Sequence, residues 1–78
     1  MAKLELYGAA RCPHTQEMRE WLEWKRSDFV EYDVEADPEA RHRMRVLAPG
    51  RRSVPLLAQD GKVVQIGWQG RSCMVDAD

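Results

Sequence analysis

The spacing of apolar residues changes along the chain, and each change predicts a new element. Leucines alternate with polar residues over residues 3–7, which indicates a half-buried strand. A helical spacing then begins at Pro13 and continues to about residue 25, and its buried stripe consists of Met18, Trp21 and Leu22. Trp24 lies off this stripe and is expected to cover its edge.

The second half of the pattern predicts a strand, a helix and a hairpin. β-Branched and aromatic residues over 29–34 indicate a strand. Asp37-Pro38-Glu39 has the composition of a helix start, with an aspartate N-cap and proline at the first position, and Pro49-Gly50 ends that helix. Residues 54–58 and 62–66 have the pattern of two strands joined by a tight turn.

This order of elements, β-α-β-α-β-β, predicts an α/β fold in one domain over residues 1–78. The two helical crossovers require parallel pairing of the early strands, and the hairpin adds an antiparallel pair. We therefore expect a four-stranded mixed sheet with helices packed on it and a third helix that is truncated or absent. Ligands of open α/β sheets bind beyond the carboxyl ends of the strands, and Cys12 follows the first strand at such an end.

Composition excludes several classes of function. With 44% apolar and 32% charged residues, the chain is typical of a globular protein rather than a disordered one. It has no apolar run of membrane-spanning length and no charged-then-apolar leader, so we expect no membrane partner and a cytoplasmic location. The two cysteines and two histidines lack the spacing of zinc ligands, which predicts that no metal is bound.

The net charge of −1 conceals a basic run from Arg41 to Arg52. Its arginines fall on more than one helix face, and no aromatic residues are interleaved for base stacking. We therefore expect a solvated helix surface and no nucleic-acid partner. We also expect a monomer.

Cys12 is the leading candidate for chemistry. It precedes Pro13, which suits the first helical position because its missing N–H would be unpaired there. Cys12 is thereby placed at the N-cap, where free N–H groups and the helix dipole favour the thiolate, the nucleophilic form. Arg11 and His14 can add to that field. The alternative reading from placement alone is a small, buried structural cysteine.

Several motifs, in the right order, resemble those of the glutaredoxins. Residues 6–15 resemble the family's first strand and Cys-Pro-x-Cys site, and residues 32–39 resemble its second strand and second helix start. Residues 52–55 resemble its Thr-Val-Pro loop, and Gly67 stands where a glycine pair follows the last strand. The resemblance covers nearly the whole chain. It implies a thioredoxin-like fold and thiol–disulfide oxidoreductase activity.

The resemblance also implies roles for individual residues. A cis Val54–Pro55 bond would present the backbone of Val54 to an extended substrate beside Cys12, and Arg51 or Arg52 would face a carboxylate of glutathione. The implied contacts with a disulfide substrate or glutathione are Arg11, Pro13, His14, Arg52, Val54, Pro55 and Gly67. Glutathione is a possible co-substrate, and no bound cofactor is expected.

Two departures from the family pattern affect the chemistry. Thr15 replaces the second active-site cysteine, so it can donate a hydrogen bond to the Cys12 thiolate but cannot resolve a mixed disulfide. Ala9 stands where the family has a lysine. A closer similarity is to the UXX-star group of glutaredoxin-like proteins, some of which carry selenocysteine at the position of Cys12.

Cys73 is the predicted partner for Cys12. In a glutaredoxin fold the chain leaves the last strand near the start of the first helix, and the six residues from Gly67 to Cys73 reach at most ~20 Å. The alternative is a mobile tail cysteine without a role.

Three functions follow from these readings. The leading one is a thiol–disulfide oxidoreductase in which glutathione or Cys73 resolves the mixed disulfide on Cys12. The second is a carrier of an iron–sulfur cluster or soft metal. The third is an adaptor without catalytic activity.

Overall fold

The computed structural model describes residues 3–75, and its first elements follow the predicted order. The chain forms β1 (Leu4–Gly8), α1 (Pro13–Trp24), β2 (Phe29–Asp33) and α2 (Pro38–Leu47). It continues through β3 (Ser53–Val54), β4 (Leu56–Gln59), β5 (Lys62–Ile66) and β6 (Cys73–Met74). The first four elements lie close to their expected bounds.

Both helices begin where the sequence predicts. Asp37 is the N-cap of α2, and its side chain accepts a hydrogen bond of 3.0 Å from the backbone N–H of Glu39. Pro38 then occupies the first turn, where the N–H that proline lacks would have no intrahelical partner. Cys12 and Pro13 have the same arrangement at α1, except that the Cys12 side chain makes no capping hydrogen bond.

The predicted four-stranded mixed sheet is confirmed, with strand order β2-β1-β4-β5. β1 pairs in parallel with β2 and antiparallel with β4, and β5 pairs antiparallel with β4. Gly8 and Asp33 are paired in register at the carboxyl ends of β1 and β2. These two ends therefore lie at one edge of the sheet, and Cys12 follows β1 at that edge.

The chain after residue 52 differs from the prediction in two ways. The single strand expected over residues 54–58 is wrong, because Pro55 has no N–H for a ladder and divides it into β3 and β4. The tail forms β6, a strand that was not predicted, and β6 pairs antiparallel with β3 in a separate two-stranded sheet. Within residues 3–75 there is no third helix, which agrees with the expectation of a truncated or absent one.

The core has two apolar clusters. Leu6, Met18, Leu22 and Leu57 pack between α1 and the sheet. The second cluster contains Tyr7, Val34, Met44 and Leu56, and it also includes Cys12. The expectation for Trp24 is wrong, since its side chain is 80% exposed. Trp24 is turned by about 200° from Leu22 around the helix axis, so it faces away from the sheet.

Tyr7 anchors the end of β1 within the second cluster. Its side chain is buried, and its ring stacks on that of Tyr32 across the parallel pair with centroids 5.0 Å apart. Its hydroxyl donates a hydrogen bond of 3.0 Å to the carboxylate of Glu5. Burial, and then this hydrogen bond to a negative group, raises the pKa of Tyr7 to about 12.

Candidate active site at the Cys12–Cys73 disulfide

Cys12 lies at the N-terminus of α1 in extended backbone conformation. Its N–H donates to the carbonyl of Ala9 at 3.0 Å, which closes the loop after β1, and its carbonyl accepts from the N–H of Gln16 at 3.2 Å. The side chain is 1% exposed. The sulfur thus sits under the first turn of a helix, where unpaired N–H groups and the positive end of the dipole stabilise negative charge.

The sulfur of Cys12 is bonded to that of Cys73, as predicted. The two residues are 61 positions apart in sequence, and their Cα atoms are 6.0 Å apart, within the usual range for a disulfide. Cys73 reaches Cys12 because β6 pairs with β3, with Cys73 opposite Val54. The structure therefore represents an oxidised form of the protein, in which the two cysteines are bonded to each other.

The predicted cis peptide bond between Val54 and Pro55 is confirmed. Both residues are buried, and the carbonyl oxygen of Val54 lies 3.9 Å from the Cys12 sulfur. The backbone of Val54 is thus beside the Cys12 sulfur, and its alignment of an extended substrate stays a prediction. In the oxidised protein the strand that pairs with Val54 is the chain's own β6.

Arg11 lies one residue before Cys12, but its guanidinium is directed away from the sulfur. Its Nε is 2.9 and 3.2 Å from the two carboxylate oxygens of Glu35, and one terminal nitrogen donates 2.7 Å to the carbonyl of Met74. Arg11 therefore joins the loop before α1 to the segment after β2 and to β6. Its contacts are with the neighbour of Cys73 rather than with Cys12.

His14 and Thr15 also have partners of their own on α1 and the preceding loop. The Nδ1 atom of His14 lies 3.5 Å from a carboxylate oxygen of Glu17, one helical turn away. The hydroxyl of Thr15 is buried and accepts a hydrogen bond of 3.4 Å from the N–H of Ala9. Thr15 thus packs under the loop that carries Cys12, and the hydrogen bond made by its hydroxyl is to that loop's backbone.

Arg52 lies at the other end of the β3–β6 pair. Its side chain is exposed, and its carbonyl accepts a hydrogen bond of 2.9 Å from the N–H of Val75. It lines a cavity of about 160 Å³ whose other lining residues are Arg41, Met44, Arg45, Gly50, Arg51 and Val75. Four arginines therefore line the cavity beside Val75, the residue that follows β6.

Gly67 links the proline loop to the segment that returns toward Cys12. Its N–H donates a hydrogen bond of 2.7 Å to the carbonyl of Pro55. Its φ is +84°, and a Cβ atom here would lie 2.8 Å from the carbonyl oxygen of Arg71. Glycine is needed at this position because both the backbone conformation and the close approach exclude a side chain.

Sequence reasoning missed Glu35 and the arginines of α2. Glu35 follows β2 at the carboxyl edge of the sheet, and this position was an available signal because ligands and polar contacts gather there. Arg41 lies on α2, donates a hydrogen bond to the carbonyl of Val34 and lines the cavity beside Arg52. Its place depends on how α2 packs, which a sequence pattern does not give.

Among residues 3–75, no group of three or more His, Cys, Asp or Glu side chains is arranged to hold a metal ion. Over the same residues, no helix has the length and apolar character needed to cross a membrane.

Comparison with known proteins identifies the family. The glutaredoxin family model matches residues 4–64, which is most of the chain. The chain belongs to the glutaredoxin family. A probable glutaredoxin of Synechocystis is 41% identical to this chain, over 69% of this chain and 50% of its own length. A second probable glutaredoxin from the same organism is 37% identical, over 76% of this chain and 67% of its own length. This glutaredoxin chain thus spans only half the length of the first relative.

A relative of matching length comes from Clostridium pasteurianum. It is an uncharacterised glutaredoxin-like protein, 31% identical over 78% of this chain and 80% of its own length. Solved structures agree: the thioredoxin-like protein BC3987 superposes with a TM-score of 0.74 at 32% identity, covering 85% of this chain and 88% of that one. A glutaredoxin from Archaeoglobus fulgidus gives 0.71 at 26% identity, over 88% and 78%. The thioredoxin-like fold is therefore confirmed.

Proposed function

We propose that this glutaredoxin-family chain reduces disulfides with Cys12 as the nucleophile and Cys73 as the resolving thiol. Membership of the family supports thiol–disulfide oxidoreductase chemistry in general. The observation that carries the finer proposal is the Cys12–Cys73 bond at the N-terminus of α1, beside Val54. Cys73 on β6 supplies the second thiol, which the family has at the position of Thr15.

The reaction proceeds through a mixed disulfide. The Cys12 thiolate attacks one sulfur of the substrate R–S–S–R′, the S–S bond breaks, and R′S⁻ leaves and takes a proton from water. The Cys73 thiolate then attacks the Cys12 sulfur, so that RS⁻ leaves and the Cys12–Cys73 bond forms. Two electrons have passed from the protein to the substrate.

Regeneration requires a thiol reductant, for which we propose glutathione. Two glutathione molecules donate two electrons in successive exchanges and leave as glutathione disulfide. Arg52 and Arg51 line the cavity beside β6, and guanidinium groups suit the carboxylates of this tripeptide. The backbone of Val54 is placed to pair with its cysteine once β6 has moved away. No resident cofactor is needed for these steps.

Reduction of hydroxyethyl disulfide tests the proposal. Activity is measured with glutathione and glutathione reductase, and separately with thioredoxin and its reductase. Cys12→Ser is expected to abolish activity with both donors. Cys73→Ser is expected to abolish intramolecular resolution and leave only resolution by external glutathione. Ser72→Ala is the matched control, since Ser72 is the exposed neighbour of Cys73.

Two results would contradict the proposal. Activity that survives Cys12→Ser would remove Cys12 as the nucleophile. Visible absorbance after anaerobic reconstitution with iron and sulfide, lost in Cys12→Ser, would favour the carrier function considered from the sequence. A cytoplasmic location and a monomeric state stay predictions, and fractionation and sedimentation would test them.

A further inference from the structure

The resolving strand β6 has few hydrogen-bonded contacts, although Cys73 packs against the second apolar cluster and Val75 is part of it. It contains two residues and, within residues 3–75, pairs only with the two residues of β3. A ladder this short has little stability of its own. When the disulfide is open, the place of Cys73 therefore depends on contacts that do not involve sulfur. This inference rests on the proposed role of Cys73.

Besides a side-chain contact of 3.6 Å between the Ser53 hydroxyl and the Met74 sulfur, two hydrogen bonds outside the ladder hold the main chain of Met74 and Val75. The N–H of Val75 donates 2.9 Å to the carbonyl of Arg52, and the guanidinium of Arg11 donates 2.7 Å to the carbonyl of Met74. The second bond is charge-assisted, so it is the stronger type. It also joins the residue before Cys12 to the residue after Cys73, and it thus acts next to both sulfurs.

Glu35 fixes the orientation of the Arg11 guanidinium. Both of its carboxylate oxygens lie within 3.2 Å of Nε, while a terminal nitrogen of the same guanidinium donates to the carbonyl of Met74. Because the guanidinium is planar, holding Nε in place also sets the direction of the N–H groups on the terminal nitrogens. The pair thus forms a preset donor for a backbone carbonyl at the position of residue 74.

We propose that Arg11, oriented by Glu35, is the positioning residue that docks β6 and raises the effective concentration of Cys73 at the Cys12 mixed disulfide. The disulfide bond between Cys12 and Cys73 forms, the S–S bond between Cys12 and the substrate sulfur breaks, and RS⁻ leaves. Arg11 takes no part in these exchanges; it binds the carbonyl of Met74 and brings the attacking thiolate into range. The docked strand lies beyond residues 4–64, which are those that match the family.

The experiment separates attack from resolution. Reduced protein is mixed with excess dithiodipyridine, a neutral disulfide that releases one coloured thione when Cys12 attacks and a second when Cys73 resolves. Neutrality matters because the charge of Arg11 then has little effect on the encounter. Arg11→Met is expected to slow the second phase by about three- to tenfold, the effect of losing one ordinary hydrogen bond at this exposed position, and to leave the first nearly unchanged.

Companion variants test the geometry. Glu35→Gln is expected to slow the second phase in the same direction but by less, because the guanidinium keeps its bond to Met74 and loses its fixed orientation. Arg11→Lys is expected to restore part of the rate, since an ammonium donates one bond but cannot hold both partners. Arg19→Met is the matched control: Arg19 forms a similar ion pair with Glu31 at 3.0 Å, away from β6.

Distinct results would overturn the inference. An unchanged second phase in Arg11→Met would show that β6 docks without this contact. Equal slowing of both phases would show that Arg11 acts on the Cys12 thiolate instead. Release of only one thione per molecule of the unmutated protein, or a second phase whose rate rises with protein concentration, would refute the Cys73 step itself and therefore the proposed function as well.

Discussion

Reducing the Cys12–Cys73 disulfide is expected to remove a large part of the free energy of unfolding. The bond links residues separated by 61 positions. In the chain-entropy treatment, a loop of this length restricts the unfolded chain by about 4 kcal/mol at room temperature. A domain of this size typically has a total free energy of unfolding of about 4 to 12 kcal/mol. Reduction is therefore expected to leave a much less stable fold.

Cys73→Ser is the variant that isolates this effect. Cys12 is the N-cap of α1, and its side chain makes no capping hydrogen bond. A serine there would add one and stabilise the helix by about 1 kcal/mol, which would mask part of the loss. Cys73 has no such position, so its replacement removes the bond and leaves α1 unaltered.

Urea denaturation followed by circular dichroism measures the loss. For a small domain with an m value of about 1 to 2 kcal/mol/M, a loss of 4 kcal/mol lowers the midpoint by about 2 to 4 M. The m value is expected to rise, because the unfolded chain without the loop exposes more surface. Mass spectrometry first verifies the bond as a loss of about two daltons on a Cys12–Cys73 peptide.

The control is Cys73→Ser treated with a phosphine, which reduces disulfides in the unmutated protein. Its midpoint is expected to be the same with and without a phosphine, and to lie near that of the reduced unmutated protein. A midpoint shift below about 0.5 M in the unmutated protein would refute the reasoning, since the disulfide would then restrict the unfolded chain far less than its loop length requires. Two free thiols in the air-oxidised protein would refute the pairing itself.

Three further predictions follow from packing and hydrogen bonds. A Cβ atom at Gly8 would overlap the side chain of Thr15, so Gly8→Ala should lower stability by about 1 to 3 kcal/mol in urea denaturation, and Thr15→Ser should recover part of that loss. Asp37→Ala removes the N-cap of α2 and should cost about 1 kcal/mol by the same assay. Tyr7 should titrate near 12 by ultraviolet absorbance, with that step absent in Tyr7→Phe. Because the folded pKa of Tyr7 is raised, its stabilising contribution is complete below pH 10 and is lost as the pH rises from about 10 to 12. No loss of stability above pH 10 relative to Tyr7→Phe would contradict the burial argument.

The start of the site could be predicted from the sequence because its signals are local. Pro13 fixes the first turn of α1, and that places Cys12 at the N-cap without reference to the rest of the chain. The pairing with Cys73 required the family resemblance as well, since only a known fold shows where a tail of six residues ends. The Val54–Pro55 cis bond was likewise accessible through the resemblance and not through spacing.

The remainder of the site depends on contacts between distant residues. β6 contains two residues and has no pattern of its own, so it exists only because β3 and Cys12 are nearby. The Arg11 contacts span 24 positions to Glu35 and 63 to Met74. Each of these groups taken alone is a charged or exposed surface residue, and nothing in the sequence distinguishes it from others.

The position of the resolving cysteine has a consequence for the catalytic cycle. In a Cys-x-x-Cys site the second thiol lies on the helix, but here Thr15 packs at that position and Cys73 approaches from β6. The main chain of β6 pairs with Val54, which is also where an extended substrate would pair. In the proposed function, one ladder accepts one strand, so β6 would displace a substrate strand from Val54 as Cys73 attacks, and the closed disulfide would leave the ladder filled. The reductant would then have to open the disulfide, and β6 would have to leave β3, before the next substrate binds. On this proposal, docking of β6 favours resolution and opposes substrate entry.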